Sequence, residues 1–374
     1  MSIEIREVKT RRELKKFIRF PHSIYRENAC WVPGLDFDEI NTLRKDKNPA
    51  FEVCEARYWL AYKDGEIAGR IAGILNHPYI EKWKNRYIRF GWIDFIDDEE
   101  VSKALLQAVE NWAKETGMTA IHGPLGFTDM DREGMLVEGF DRLGTMVTNY
   151  NHPYYPVHLE KLGYRKDVDW VEFESSVPTE IPEKIEEIAA NVREKLNLRT
   201  LKIKKVKELL PYAPHIFEVL DVAYSGLYGV VPLTQKQVEA CTKQYFGFIR
   251  PDFVSVVVDK NDRVVGFGIT MPSLSKALQK SHGKLFPFGF IHLLRALKKN
   301  DMADLYLIGL LPEYQGKGVN ALILSEIGKT FIRNGIVHVE TNPELEQNLK
   351  VQAQWKFFDM HQHKRRRVFI KEIA

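Results

Sequence analysis

The chain has 374 residues, enough for two domains of ordinary size, each with its own core. Its 54 Lys and Arg against 51 Asp and Glu leave a net charge of +3, too balanced for a dedicated nucleic-acid binder but compatible with an anionic small ligand. No run approaches the ~20 apolar residues that cross a bilayer, and Met1-Ser-Ile-Glu-Ile-Arg lacks the apolar segment of a signal peptide. Cys30, Cys54 and Cys241 are too far apart for a metal motif, so the expectation is a cytoplasmic protein with reduced thiols and no metal.

In chain order, Trp59 to Ile74 reads as a hairpin turning at Asp64-Gly65. A strand, Phe90 to Ile96, and a helix, Val101 to Lys114, follow; Gly117 then turns the chain into a strand at Ala120. Leu159 to Tyr164 and Trp170 to Glu174 read as a short helix and a closing strand. Pro178 and Pro182 bracket a boundary, and Glu183 to Leu198 is a charged amphipathic helix. The same order then repeats: a hairpin from Val254 to Thr270, a strand from Leu305 to Leu311, and a helix from Val319 to Arg333. Gly335 leads to a strand at Ile336, and Trp355 to Asp359 and Arg366 to Ile370 close the second half. The halves are taken as 1–178 and 200–374, joined by 179–199.

They differ at the turn into the helix. The second half has Pro312-Glu-Tyr-Gln-Gly-Lys-Gly-Val-Asn320, a strand-to-helix turn whose unpaired amides and helix dipole suit a phosphate. An ordinary turn with a solvated lysine is the alternative. The first half has Asp97, Asp98, Glu99 and Glu100 there, good first-turn charges for a helix and poor neighbours for a pyrophosphate.

The Gln315-x-x-Gly318 turn resembles the acyl-coenzyme A motif of the Gcn5-related N-acetyltransferase (GNAT) superfamily, with Asn320 where that family has Gly or Ala. The resemblance implies an α+β fold of two tandem GNAT-like domains, each a twisted, mostly antiparallel mixed sheet flanked by helices. It implies acyl transfer from acetyl-CoA or a longer acyl-CoA to a small or lipid-like amine. A non-catalytic acyl-CoA sensor, or a long-chain enzyme using acyl carrier protein, are the alternatives. Cofactor contacts are expected from Leu310, Leu311, Gln315, Gly316, Lys317, Gly318, Val319, Asn320 and Asn348. Glu340 is the expected base, with Asp304 as second candidate and Tyr306 placed to hold a water. Trp355 falls where many GNAT enzymes carry an acidic tyrosine, and an indole is no practical acid.

Three further stretches are ambiguous. Met271 to Asn300 is an insertion that could line an acyl channel, rest on a membrane surface, or pack against the first half. Gly123 to Asp129 and Asn149 to Tyr155 could shape an acceptor site. Lys364 to Arg367 reads as a solvated strand face or a supplement to a phosphate site.

Overall fold

The computed structural model describes residues 2–373. Its strands are β1 (Ile3–Glu7), β2 (Cys54–Lys63), β3 (Glu66–Asn76), β4 (Tyr87–Phe95), β5 (Ala120–Gly123), β6 (Met135–Glu138), β7 (Arg165–Ser176), β8 (Arg199–Thr200), β9 (Val254–Val258), β10 (Val264–Pro272), β11 (Met302–Leu310), β12 (His338–Thr341), β13 (Glu344–Leu345) and β14 (His361–Glu372). They form one sheet in the order β1-β2-β3-β4-β5-β14-β7-β12-β11-β10-β9-β8, with β6 on β14 and β13 on β7. The pairs β4–β5 and β11–β12 are parallel; the others are antiparallel.

Local chemistry sets the repeated elements. Asp64 and Gly65 both have positive φ (52° and 87°), as the tight hairpin between β2 and β3 requires. Asp98 caps the helix Glu99–Glu115, accepting from the Glu100 and Val101 amides at 3.0 and 3.2 Å. The matching helix of the second half, Asn320–Asn334, ends on Gly335 at φ 71°. The helix Glu183–Lys195 buries Ile185, Ala189 and Val192 in the second half's core, and Glu186 holds Ser325 and Lys329 at 2.6 and 2.9 Å.

The halves exchange their closing strands. β7, from the first half, pairs with β12 of the second; β14, from the second, pairs with β5 of the first; the two then pair with each other. This overturns the solvated-face reading of the basic run. Lys364 and Arg366 point into the seam, each about 1% exposed, where Lys364 pairs with Glu340 and Arg366 with Glu172. On the opposite side of the strand, Arg365 and Arg367 hold Asp169 at 3.1 and 2.9 Å. Charges this deep persist only when paired, which makes the run a seam and not a phosphate site.

The insertion forms two helices, Ser275–Ser281 and Gly289–Lys298. The first packs on the first half: Gln279 donates to the Ala29 and Trp31 carbonyls at 2.8 and 2.9 Å, and the Asp36 amide donates to Gly283 at 2.9 Å. The second, with the turn that precedes it, leaves Phe286, Phe288 and Phe290 in solvent.

Candidate active site

β11 and β12 run together only from Met302↔His338 to Leu305↔Thr341 and then part. At the point of parting β11 bulges: Ile269 faces Leu307 and Thr270 faces Leu305, which leaves Tyr306 as the extra residue. Past the bulge only one edge of β11 is laddered. Because the Leu311 amide bonds back to Val265 at 3.0 Å, antiparallel alternation turns the N–H and C=O of Ile308 and Leu310 to the open edge. Tyr224 donates to the Ile308 carbonyl at 3.1 Å and Gln315 Nε2 to the Leu310 carbonyl at 3.1 Å. Leu310 therefore keeps an amide with no acceptor among the described residues, whereas Leu311, also expected to contact the cofactor, has its amide tied into the ladder.

The turn that follows is exposed from Gln315 to Lys317. Gly316 and Gly318 have φ of 71° and 80°. The amides of Gly316, Lys317, Gly318, Val319 and Asn320 have no acceptor among the described residues; the next two, Ala321 and Leu322, bond back to Gly318 and Val319. Val319 is the N-cap and has no side-chain cap. These amides, the helix dipole and Lys317 form an open anion cradle. Gly316 has open space where a Cβ would be, but at Gly318 a Cβ would lie 2.8 Å from Ile188. Gly318 thus serves the packing of the helix Glu183–Lys195. Asn348 caps the short helix Leu349–Gln352 by position, without a side-chain cap bond.

The first half closes the same place. Phe95 stands where Leu310 stands, each preceding the amide that bonds back to the neighbouring strand (Ile96 to Ala68, 3.0 Å). The Tyr155 hydroxyl shares a hydrogen bond with that of Tyr25 at 2.9 Å, and its oxygen accepts the Phe95 amide at 3.0 Å; Tyr154 donates to the Phe95 carbonyl at 2.7 Å. Asp98, paired with Lys63, neutralises the helix start from within.

Beside the bulge, Asp304 and Glu340 are in register and both buried. Burial would raise the Glu340 carboxyl, but His363 and Lys364 hold it below its ordinary value. Burial and the Glu340 charge push Asp304 up to about 7. Tyr306 donates to Asp304 Oδ2 at 3.4 Å, and Oδ1 has no hydrogen-bond partner. Burial and the Asp304 carboxylate hold the Tyr306 phenol well above its usual range. Glu172, Glu340 and His363 bring ligand atoms within 4.8 Å of one another, with the Lys364 ammonium already among them.

Trp355 is buried and donates to Glu344 at 2.9 Å, a residue that sequence reasoning passed over. Burial raises Glu344 to about 8. His361 is exposed and faces Asp359 at 3.4 Å. Tyr224 lies on the right edge, but burial puts its phenol far above a thiol.

A cavity of about 120 Å³ opens in the first half, its wall completed by Gln244 and Tyr245 of the second. Pro124 from one ambiguous first-half segment and Asn149, Tyr150, Asn151 and Tyr155 from the other line it, with Asp38, Met130 and Asp131. Burial raises Asp131 to about 6.

No protein-family model matches the chain. It is 28% identical to protein YghO of Escherichia coli over 99% of this chain and 95% of that one. It is 26% identical to the bacterial ceramide synthase of Caulobacter vibrioides over 84% of this chain and 82% of that one. Among solved structures, a tandem GNAT protein from the clavulanic acid biosynthesis pathway superposes with TM-score 0.58 at 11% identity, over 100% of this chain and 99% of that one. A probable N-acyltransferase from Enterococcus faecalis gives 0.54 at 6% identity, over 100% and 73%.

Proposed function

With the tandem GNAT fold as premise, we propose that the protein transfers an acyl group from acyl-coenzyme A to an amine, at a site in its second half. The observation that carries this reading is the contrast between two equivalent clefts. In one, five free amides and an open strand edge lead to a bulge beside Asp304. In the other, Tyr154, Tyr155 and Asp98 occupy the same groups.

The diphosphate sits on Gly316–Asn320 with Lys317, and the pantetheine arm follows the open edge of β11 past Leu310. The Ile308 amide is aimed at the thioester oxygen, where a donor stabilises the tetrahedral intermediate. The amine nitrogen bonds the carbonyl carbon as its proton passes through the Tyr306 hydroxyl to Asp304. A concerted hop leaves no free phenolate, which matches the raised Tyr306 pKa. The base role thereby moves from Glu340, held by Lys364, to Asp304, whose Oδ2 already accepts from the Tyr306 hydroxyl. The C–S bond then breaks. A thiol has an ordinary pKa of about 8.5, so the thiolate departs without an acid and takes its proton from water.

The acceptor binds in the first-half cavity, where Asp38, Glu39, Asp94 and Asp131 outnumber Arg70 and Arg132 and suit an ammonium group. The likeness to a ceramide synthase favours a lipid-like amine and a long acyl chain. Thiol release from acetyl-, octanoyl- and palmitoyl-CoA with short and long-chain amines tests this. Release above the hydrolytic background with a long-chain amine is expected; none with any pair leaves an acyl-CoA sensor.

A further inference from the structure

We infer that the insertion between β10 and β11 is a docking surface for an anionic membrane. The second insertion helix, Gly289–Lys298, is anchored by Leu293 on one side and turns its other side outward. Phe286 is 77% exposed, Phe288 69% and Leu294 60%, with Phe290 beside them. Four large apolar side chains grouped on one short segment are not the scattered exposure of an ordinary surface.

The segment is also pre-shaped. The Phe290 amide bonds the Leu285 carbonyl at 2.8 Å and Ile291 bonds Phe288 at 3.1 Å, which fixes the turn presenting the rings.

Charge identifies the occupant. No Asp or Glu occurs from Arg263 to Asn300, whereas Lys276, Lys280, Lys284, Arg295, Lys298 and Lys299 are all exposed. Arg263 pairs with Glu313 at 3.3 Å, but none of these six cations has a carboxylate partner among the described residues. A second copy or a protein partner would need matching acids. A bilayer with anionic headgroups supplies charge and hydrocarbon together, and aromatic tips rimmed by Lys and Arg are what the interfacial region accepts.

The placement also suits a lipid substrate. The insertion joins the Pro272 end of β10 to the Met302 end of β11, while the anion cradle follows Leu310. Nine residues of strand separate the two by on the order of 25 Å. A protein resting on this patch would keep its cradle in water and its Asp304 end toward the lipid.

The test is co-sedimentation of the full chain with phosphatidylcholine vesicles, with and without about a quarter phosphatidylglycerol. Binding is expected on the anionic vesicles and to weaken with salt, each cation contributing about fivefold at low ionic strength. The double variant F286D/F288D should bind about tenfold or more weakly, and K298E/K299E, which takes the patch from six positive charges to a net of two, should bind more weakly with a shallower dependence on salt. Both should keep wild-type circular dichroism and CoA affinity. Wild-type protein remaining in the supernatant, or variants sedimenting like wild type, would overturn the inference. So would a dimer, seen by analytical ultracentrifugation, that the phenylalanine variant dissolves in the absence of any vesicle binding. Because the readout is sedimentation, it stands whether or not acyl transfer is found.

Discussion

Gly316 offers the cleanest perturbation of the anion cradle. Its Cβ position is open, with no heavy atom within 4 Å, so a side chain there meets only solvent and ligand. Its φ of 71° imposes a left-handed backbone, which costs a non-glycine residue about 1 kcal/mol and Asn rather less. That cost is common to the free and bound protein and cancels from affinity. A carboxylate at this site would stand ~5 Å from a diphosphate carrying about two charges. At an effective dielectric of ~60 the repulsion is about 2 kcal/mol, a factor of about 30 in Kd. Gly316→Asn should therefore bind CoA within about threefold of wild type, and Gly316→Asp about 30-fold more weakly than Gly316→Asn. Calorimetry at low salt reads both, and the gap should narrow as ionic strength rises. Equal affinity for Asn and Asp would place the diphosphate elsewhere and refute the cradle.

Three other outcomes follow from the same geometry. Calorimetry should give one CoA per chain, and removing both first-half hydroxyls (Tyr154→Phe, Tyr155→Phe) should not add a second, because Asp98 still occupies the helix start. Asp304 must be ionised to accept a proton, so kcat/KM should rise with pH through about 7, and Asp304→Asn should remove that step and lower kcat about a hundredfold or more. The stability sign is opposite: a carboxyl raised in the fold binds its proton more tightly there than unfolded. Its stability contribution is full below the unfolded pKa near 4 and is lost as pH rises to about 7. Asp304→Asn should accordingly melt higher than wild type at pH 8, whereas a purely structural Asp304 would give a variant that melts lower. Lys364→Met should cost about 3–5 kcal/mol in urea unfolding, since it leaves Glu340 and Glu172 without their shared cation.

Local signals were legible in the sequence and long-range ones were not. The Asp64-Gly65 turn, the acids before the helix Glu99–Glu115 and the glycines before the helix Asn320–Asn334 each act within a few residues, and each could be read directly. Tyr154 and Tyr155 read only as polar aromatics, because their partner, the Phe95 backbone, lies about sixty residues earlier. Lys364 to Arg367 looked like a solvated face for the same reason. Their partners at Asp169 and Glu172 lie near residue 170, and only the strand exchange brings them opposite. Both Asp304 and Glu340 were visible as carboxylates. Which of them is free depends on Lys364, a residue of a strand whose neighbours the sequence does not reveal.

That exchange makes a prediction about folding. β14 is laddered to β5 and β6 on one side and to β7 on the other, so the first half without the C-terminal strand has an open gap in its sheet. The gap exposes two strand edges, a template for aggregation, and leaves Glu172 buried without Arg366 or Lys364. The second half without β7 is equally incomplete, since β12 loses its antiparallel neighbour and Glu340 its wall. Residues 1–178 expressed alone should therefore be insoluble or aggregate, and so should 179–374. Co-expressed, the two pieces should purify together and superpose on the intact chain by circular dichroism, because every exchanged strand is then present and only the covalent link is missing. A soluble, monomeric first half with a cooperative melt would mean that β7 can turn back into the place β14 holds, and the exchange would then be a property of the linked chain alone.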